Sequence, residues 1–384
     1  MTDREGAGAS AGPESDAGDD SDEPAWRPYF GYDEPYENQP DAVESAIQVG
    51  RANGYLAMEG PCGTGKTMAA LTAAATLVRE DDYESVVVVT PVKQQLDQFV
   101  EDLRVINTGL DQPLDGIALV GKRDLCPYGR EDVFPRDASV HDRCEDLRED
   151  TAHLVESDGG SEAHRPAAAD AAVPGDGDED DQWWDPQRAS DLAKAARRDP
   201  EQFNTMADDR LETAGVESPY RREQPRAPEE MVDGDDPPLF CPFEADWYAR
   251  NKGSPVDFTD GEENVLTSEQ FLPESVVHGT CPHRAMSVLL GEADVVVGNY
   301  NHLFDPKSRP LLSAVIDENT FVIVDEAHRL EGRVRDLLSD RVGRHTLVRA
   351  RNDCNQLLQL RGQSREHERE VDDRLSSHDV PVEA

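Results

Sequence analysis

Lysine, aromatic residues and long apolar runs are all scarce in this 384-residue chain. Six lysines stand beside 32 arginines, aromatics make up 6% and apolar residues 37%. The longest apolar runs, around 69–78 and 86–89, fall far short of the ~20 residues that a membrane helix needs, so no membrane span is expected. Residues 1–25 are acidic and rich in Gly, Ser and Ala, without the basic start and apolar centre of a secretory signal. A soluble, cytoplasmic protein is therefore expected, and its six cysteines (62, 126, 144, 241, 281, 354) are not expected to form structural disulfides. Basic residues total 38 against 81 acidic ones, a net charge of −43. That excludes a protein that grips duplex DNA through a generally basic surface, because clustered Lys and Arg carry such binding. Contact with nucleic acid would have to be local.

What is present instead is acid, spread through segments that also have the texture of folded structure. Acid-rich and lysine-poor, the composition resembles that of proteins from halophilic archaea. At molar salt the Debye length falls to ~3 Å, which screens such self-repulsion. Residues 1–25 read as a disordered acidic tail. From 26 to about 120, short β-branched runs alternate with helical stretches. Strands are expected at 54–58, 86–90 and 117–120, and helices at 66–78 and 92–103. The texture returns in buried strands at 293–298 and 321–324, with a helix at 309–316 between them. This alternation predicts an α/β fold with a parallel sheet covered on both faces. Between the two pieces lies 121–285, whose middle, 145–240, carries a net charge of about −17. It is expected to be a mostly unstructured insertion, with one short helix near 189–198. After Asp325 the text is helical and charged over 326–340 and 344–359, and it is polar thereafter.

Gly60-Pro61-Cys62-Gly63-Thr64-Gly65-Lys66-Thr67 matches the G-x-x-x-x-G-K-[ST] phosphate loop, with an apolar run before it and a helix starting at Lys66. Glycines let backbone N–H groups converge on a phosphate at the helix N-terminus. Gly60, Gly63, Thr64, Gly65, Lys66 and Thr67 are thus candidate ATP-binding residues. Lys66 would reach the β- and γ-phosphates, and Thr67 would offer a hydroxyl to Mg²⁺. Val324-Asp325-Glu326-Ala327-His328 follows an apolar strand. Asp325 is then the second candidate for Mg²⁺ and Glu326 for polarising the attacking water. His328 is a candidate for coupling hydrolysis to movement, or a polar residue at a helix start.

A phosphate loop followed by a DEAH box is the layout of superfamily 2 helicases, and the text between them resembles the XPD-like, iron–sulfur DNA helicases. That family inserts a four-cysteine domain into its first RecA-like domain. Cys126 (GKRDLCPYG), Cys144 (HDRCEDL), Cys241 (LFCPFEADWY) and Cys281 (GTCPHRAM) fall in the corresponding segment. Their spacings of 18, 97 and 40 residues do not by themselves distinguish a joint metal site from scattered thiols. Four thiolates suit a 4Fe–4S cluster or a tetrahedral zinc, and the resemblance implies the cluster. It also divides the chain: a RecA-like domain in two parts, 26–120 and 286–340, around a cluster domain at 121–285, then the start of a helical arch and a polar tail at 341–384.

Further roles follow from the same resemblance. Gln39 would read the adenine edge, with Phe30 or Tyr32 packed on the base, unless these aromatics belong to the core. Thr90 and Lys93, in TPVKQQ, would meet a phosphate of single-stranded DNA. Lys122 and Arg123, beside the first cysteine, would line the DNA path, and Tyr300 would stack on a base or serve as a core tyrosine. The implied activity is 5′→3′ translocation and unwinding in DNA repair, driven by ATP and Mg²⁺ on single-stranded and forked DNA. A DinG-like relative, a non-catalytic ATP- and DNA-binding remnant, or half of a split protein are the alternatives. No counterpart of the family's second RecA-like domain is legible after Asp325. That domain supplies an arginine worth ~10³–10⁵ in rate in related phosphoryl transfers. Weak hydrolysis by this chain alone is therefore expected, as is a monomer once that domain completes it.

Overall fold

Four consecutive valines, Val86, Val87, Val88 and Val89, form the centre of the sheet and are completely buried. β-Branched side chains that alternate between two faces suit a strand covered on both sides. The computed structural model describes residues 23–130, 133–134, 139–157, 183–198, 216–221, 223–232, 236–306, 308–313, 315–339, 343–361 and 369. Its first unit ends at Val334, and a second begins at Arg335. The first unit runs α1 (Gln39–Arg51), α2 (Lys66–Arg79), β1 (Ser85–Thr90), α3 (Lys93–Thr108), β2 (Gly116–Ala118), α4 (Lys122–Leu125), α5 (Pro127–Arg130), α6 (Val140–Leu154), α7 (Pro186–Ala195), α8 (Pro242–Ala249), β3 (Val265–Leu266), α9 (Ser268–His278), α10 (Pro282–Leu289), β4 (Val295–Asn299), α11 (Tyr300–Phe304), α12 (Pro310–Ser313) and β5 (Thr320–Val324). It ends within α13 (Leu330–Leu337). The second unit contains α14 (Arg344–Arg361). No helix among the described residues is long and apolar enough to cross a membrane.

The five strands are parallel, in the order β3-β2-β4-β1-β5. Register makes the valines of neighbouring strands share a face: Val86 pairs with Val295 and Val88 with Val297. Those four join Leu71, Leu77, Phe99 and Leu103 of α2 and α3 in one core. Val87, Val89 and Val296 point the other way, into a core with Phe271, Met286 and Leu289 of α9 and α10. The α/β class with a two-sided parallel sheet is therefore as expected. The two-residue strand β3 is additional, because Val265 and Leu266 are too short a run to announce a strand.

Three expectations are corrected. Residues 54–58 form no strand. A strand exists through its neighbours' hydrogen bonds, whereas among the described residues β5 pairs with β1 alone and 54–58 has no partner strand. Tyr55 is fully exposed there. The helix expected at 309–316 is the single turn α12.

The third correction concerns 145–240, where the described portions are folded. Asp185 accepts hydrogen bonds from the backbone N–H groups of Gln187 and Arg188, capping α7, and Pro186 occupies its first turn. The buried stripe Ala189, Leu192 and Ala193 then contributes to a third core, with Leu147, Trp183, Phe243, Trp247 and Tyr248. Lys252 lies over the Trp184 ring at 4.1 Å. The short helix expected near 189–198 is thus α7, while average acidity concealed the core it joins, because a core needs only one face of each helix. The most acidic run, 158–182, residues 1–22 of the tail expected at 1–25, and most of the terminal polar text lie outside the described residues.

Candidate functional site

The phosphate loop is shaped by two glycines in the left-handed region, Gly63 at φ +79° and Gly65 at φ +74°, where a side chain would be strained. At Gly65 the space is closed as well: a Cβ would lie 1.9 Å from Gln39 Nε2. Gln39 is buried and spans two segments. Its Oε1 accepts from the Tyr36 N–H at 2.7 Å, and its Nε2 donates to the Gly65 carbonyl at 2.9 Å. These bonds leave it one N–H and one lone pair, so it braces the loop and has little left for reading a base. Phe30 is a core residue packed edge-on against Trp26, whereas Tyr32 and Tyr36 remain exposed. Lys66 opens α2, and its ammonium donates to the carbonyls of Gly60 (2.8 Å) and Pro61 (2.9 Å). Thr64 Oγ1 donates to the Pro61 carbonyl at 2.9 Å, and Thr67 is half-buried in the first turn of α2.

Asp325 follows β5, and its N–H donates to the Val89 carbonyl at 3.0 Å, tying the DEAH segment to the end of β1. The Tyr300 hydroxyl donates to the Asp325 carbonyl. Burial pushes the Asp325 carboxyl above the usual carboxylate range and Glu326 adds to this, while Lys66 and His328 oppose it. Lys66 and Asp325 are thus electrostatic neighbours, although 259 residues separate them in the chain. Glu326 takes a left-handed backbone at φ +50°. Strain of this kind in a non-glycine residue clusters at functional sites. Its Oε2 lies 3.2 Å from His328 Nδ1, on an exposed imidazole.

A separate constellation surrounds the four cysteines, which come from four segments. Cys281 is buried, the other three residues are half-buried, and all four thiols are free. Burial pushes the Cys126, Cys144 and Cys241 thiols up. Neighbouring sulfurs add to this: Cys144 and Cys281 on Cys126, Cys281 on Cys144, and the other three on Cys241. The four thiols thus act on one another electrostatically. Among the described residues, no group of three or more His, Cys, Asp or Glu side chains is placed to hold a metal ion.

Around these thiols lies a charge network for which the motifs gave no forecast. Glu244, completely buried, faces Arg284 Nε at 2.8 Å and Nη2 at 2.6 Å through one oxygen, and Arg148 Nε at 3.3 Å through the other. Burial raises the Glu244 pKa, but Arg284 and Arg148 outweigh that and hold it below the usual carboxylate range. A sequence signal existed. Arg148, Glu244 and Arg284 follow Cys144, Cys241 and Cys281 by four, three and three residues, the spacing that puts neighbours on one helix face.

A family model termed DEAD_2 matches residues 90–347, about two thirds of the chain. The chain belongs to the DEAD_2 family. A second model, the res subunit of type III restriction enzymes, matches residues 33–124, and the two together mark a superfamily 2 helicase domain. The XPD helicase subunit of general transcription and DNA repair factor IIH is 31% identical over 77 residues in Dictyostelium discoideum (20% of this chain, 10% of the relative). In Arabidopsis thaliana the same subunit is 30% identical over 95 residues (25% and 12%). A regulator of telomere elongation helicase 1 homolog from Oryza sativa subsp. japonica is 27% identical over 140 residues (35% and 14%). The aligned part of the chain thus spans a tenth to a seventh of the length of these relatives.

The DEAD_2 chain does not present all its expected DNA contacts at the surface. Lys93, at the start of α3, and Arg123 are exposed. Thr90 is buried, and its hydroxyl donates to the Val92 carbonyl at 3.1 Å. Lys122 is turned inward to Glu145 Oε1 at 2.9 Å. Tyr300 is 1% exposed, so it braces the DEAH segment and offers no ring for stacking. Adjacent cations and a strand-end tyrosine look the same in sequence whether they face solvent or the core.

Proposed function

We propose that this chain is the ATP-binding part of an XPD-like, ATP-dependent DNA helicase, which translocates 5′→3′ on single-stranded DNA and unwinds forked DNA during repair. One observation carries the reading: Lys66 opens α2 directly behind a loop shaped by two left-handed glycines, and Asp325 of the DEAH box follows β5, its N–H bonded to the Val89 carbonyl near the end of β1. Backbone N–H groups at residues 63–66 would receive the β-phosphate, and Lys66 would exchange its two carbonyl partners for phosphate oxygens. Thr67 and Asp325 would hold Mg²⁺, which when bound neutralises charge on the phosphates. Glu326 would orient the attacking water and take its proton on a carboxylate oxygen. His328, 3.2 Å from that carboxylate, is suited to sense its charge and pass it to the following helix. The exposed Lys93 and Arg123 would meet phosphates of single-stranded DNA.

Cys126, Cys144, Cys241 and Cys281 would hold a 4Fe–4S cluster. Four thiols that act on one another electrostatically, with buried cations nearby, suit the donor chemistry and negative charge of such a cluster, although among the described residues no group of side chains is placed to hold a metal ion; the cluster would staple four distant segments together. Turnover would require an arginine from a second RecA-like domain. A second reading, a module that binds ATP and DNA without turnover, is favoured by residues 54–58, which lie unpaired beside the loop.

Nucleotide binding and hydrolysis, assayed in molar KCl with and without single-stranded DNA, test these readings. Lys66→Ala is expected to abolish ATP binding, and Glu326→Gln to preserve binding while removing residual turnover. Equal ATP binding by wild type and Lys66→Ala would overturn the proposal. Strong DNA-stimulated hydrolysis by this chain alone would overturn the requirement for a second domain.

A further inference from the structure

A lysine ammonium is a compact, strongly hydrated charge that rarely leaves water without an oxygen partner. Lys252 is an exception. It lies in the turn after α8, where Asn251 and Lys252 both take left-handed backbone (φ +53° and +63°), and its N–H donates to the Trp247 carbonyl at 2.9 Å. Its side chain enters a box of four rings. Nζ lies 4.1 Å from the Trp184 centroid, 5.5 Å from Trp183, 5.8 Å from Trp247 and 6.0 Å from Tyr248. Trp183, Trp247 and Tyr248 are buried, and Trp184, the closest ring, is half-buried. Ring contacts fix the walls: Trp183 meets Trp184 at 5.8 Å and Tyr248 at 5.5 Å, and Tyr248 meets Trp247 at 5.1 Å. Among the described residues the ammonium has no hydrogen bond and no ion pair. Burial depresses its pKa to about 8 and Arg284 adds to this, while Glu244 opposes it.

Ring faces attract positive charge but are poor substitutes for an oxygen acceptor. An unmodified ammonium therefore offers three N–H donors to walls that hold no such acceptor. Each N-methyl group would remove one donor, keep the charge and add carbon that packs on the rings. We propose that Lys252 is an Nζ-methylation site, and that Trp183, Trp184, Trp247 and Tyr248 form the receptor for its methylammonium. Arg250 and Asn251 beside it are exposed, so the turn is accessible, and rotation of the side chain would present the amine to a methyltransferase. There Nζ loses a proton to solvent, and its lone pair bonds the methyl carbon of a sulfonium donor. The carbon–sulfur bond breaks and its electrons leave with the neutral thioether. Redocked, the methylammonium would pin the 183–184 segment to α8. This role is independent of the ATP and thiol assignments.

Two measurements test it. The chain is isolated from the cells that naturally produce it, and its lysine peptides are read by tandem mass spectrometry. One to three methyl groups are expected on Lys252; an unmodified or acetylated Lys252 would overturn the site. In parallel, the recombinant full chain is dimethylated at its lysines with formaldehyde and a borane, then melted in molar KCl beside the untreated chain. Wild type is expected to melt about 2 °C higher after treatment, whereas Lys252→Arg and Trp184→Ala should show no rise. Either variant that folds serves as the control. An equal rise in the variants, or none in wild type, would overturn the box as a methylammonium receptor.

Discussion

The phosphate loop and the thiol lobe achieve preorganisation in opposite ways. The loop is one run of eight residues, half of them exposed, whose geometry comes from its own backbone: two left-handed glycines, a helix N-terminus and a lysine that folds back on nearby carbonyls. The thiol site draws on four segments between Cys126 and Cys281, and its geometry comes from buried side chains, above all the carboxylate of Glu244 between two guanidiniums. Backbone geometry survives most changes in its surroundings. A buried charge network does not, because every member depends on partners that no solvent can replace.

This contrast makes Glu244→Ala the most damaging substitution. It leaves two buried guanidiniums without their carboxylate, and removing one partner of a buried pair costs about 3–5 kcal/mol. Denaturant unfolding of wild type and variant would measure the loss. A change below 1 kcal/mol would mean that water reaches the network and that the two regions differ less than their burial implies.

A smaller effect is expected near the DEAH segment. His302 is buried, its Nδ1 accepts from the Asn299 N–H at 3.2 Å, and burial depresses its pKa to about 4. The unfolded chain, with a histidine pKa near 6.5, binds the proton more readily. Stability should therefore be retained above about pH 6.5 and lost as pH falls towards 4, by about 2 kcal/mol between pH 7 and 5. His302→Gln should remove that component of the pH dependence. An unchanged slope in denaturation curves at pH 7 and 5 would show that the imidazole is not held neutral.

The smallest effect belongs to the exposed cations. Lys93→Ala should weaken binding of single-stranded DNA uniformly across sequences and reduce the salt slope by about 1, without altering stability. The same substitution at Lys122 should act mainly on folding, because its ammonium is committed to Glu145. Fluorescence anisotropy across a salt series, beside thermal melts, separates the two. Equal slopes for both variants would erase the distinction between the outward and inward lysine.

The same division governs what was legible in the sequence. The central strands could be read because β-branched runs buried on both faces leave little alternative, and the register of Val86 with Val295 and Val88 with Val297 follows from that pattern. The strand expected at 54–58 failed for a nonlocal reason: pairing belongs to two segments, and no described strand lies beside this one. The short helix expected near 189–198 is α7, but its packing and that of Trp183 into a core were hidden within an acidic stretch because composition averages over both faces of a helix.

By itself, the sequence determined the α/β class, the phosphate loop and the DEAH box. Each depends on neighbours in the chain, where glycine φ angles, helix starts and strand alternation are local properties. Only the tertiary structure decided that Gln39 braces Gly65, that Lys122 and Tyr300 face inward, and that Arg148, paired with Glu244, lies against the Cys281 sulfur. Burial and pairing are relations between distant segments, so the energy that fixes them arises only when the chain has folded.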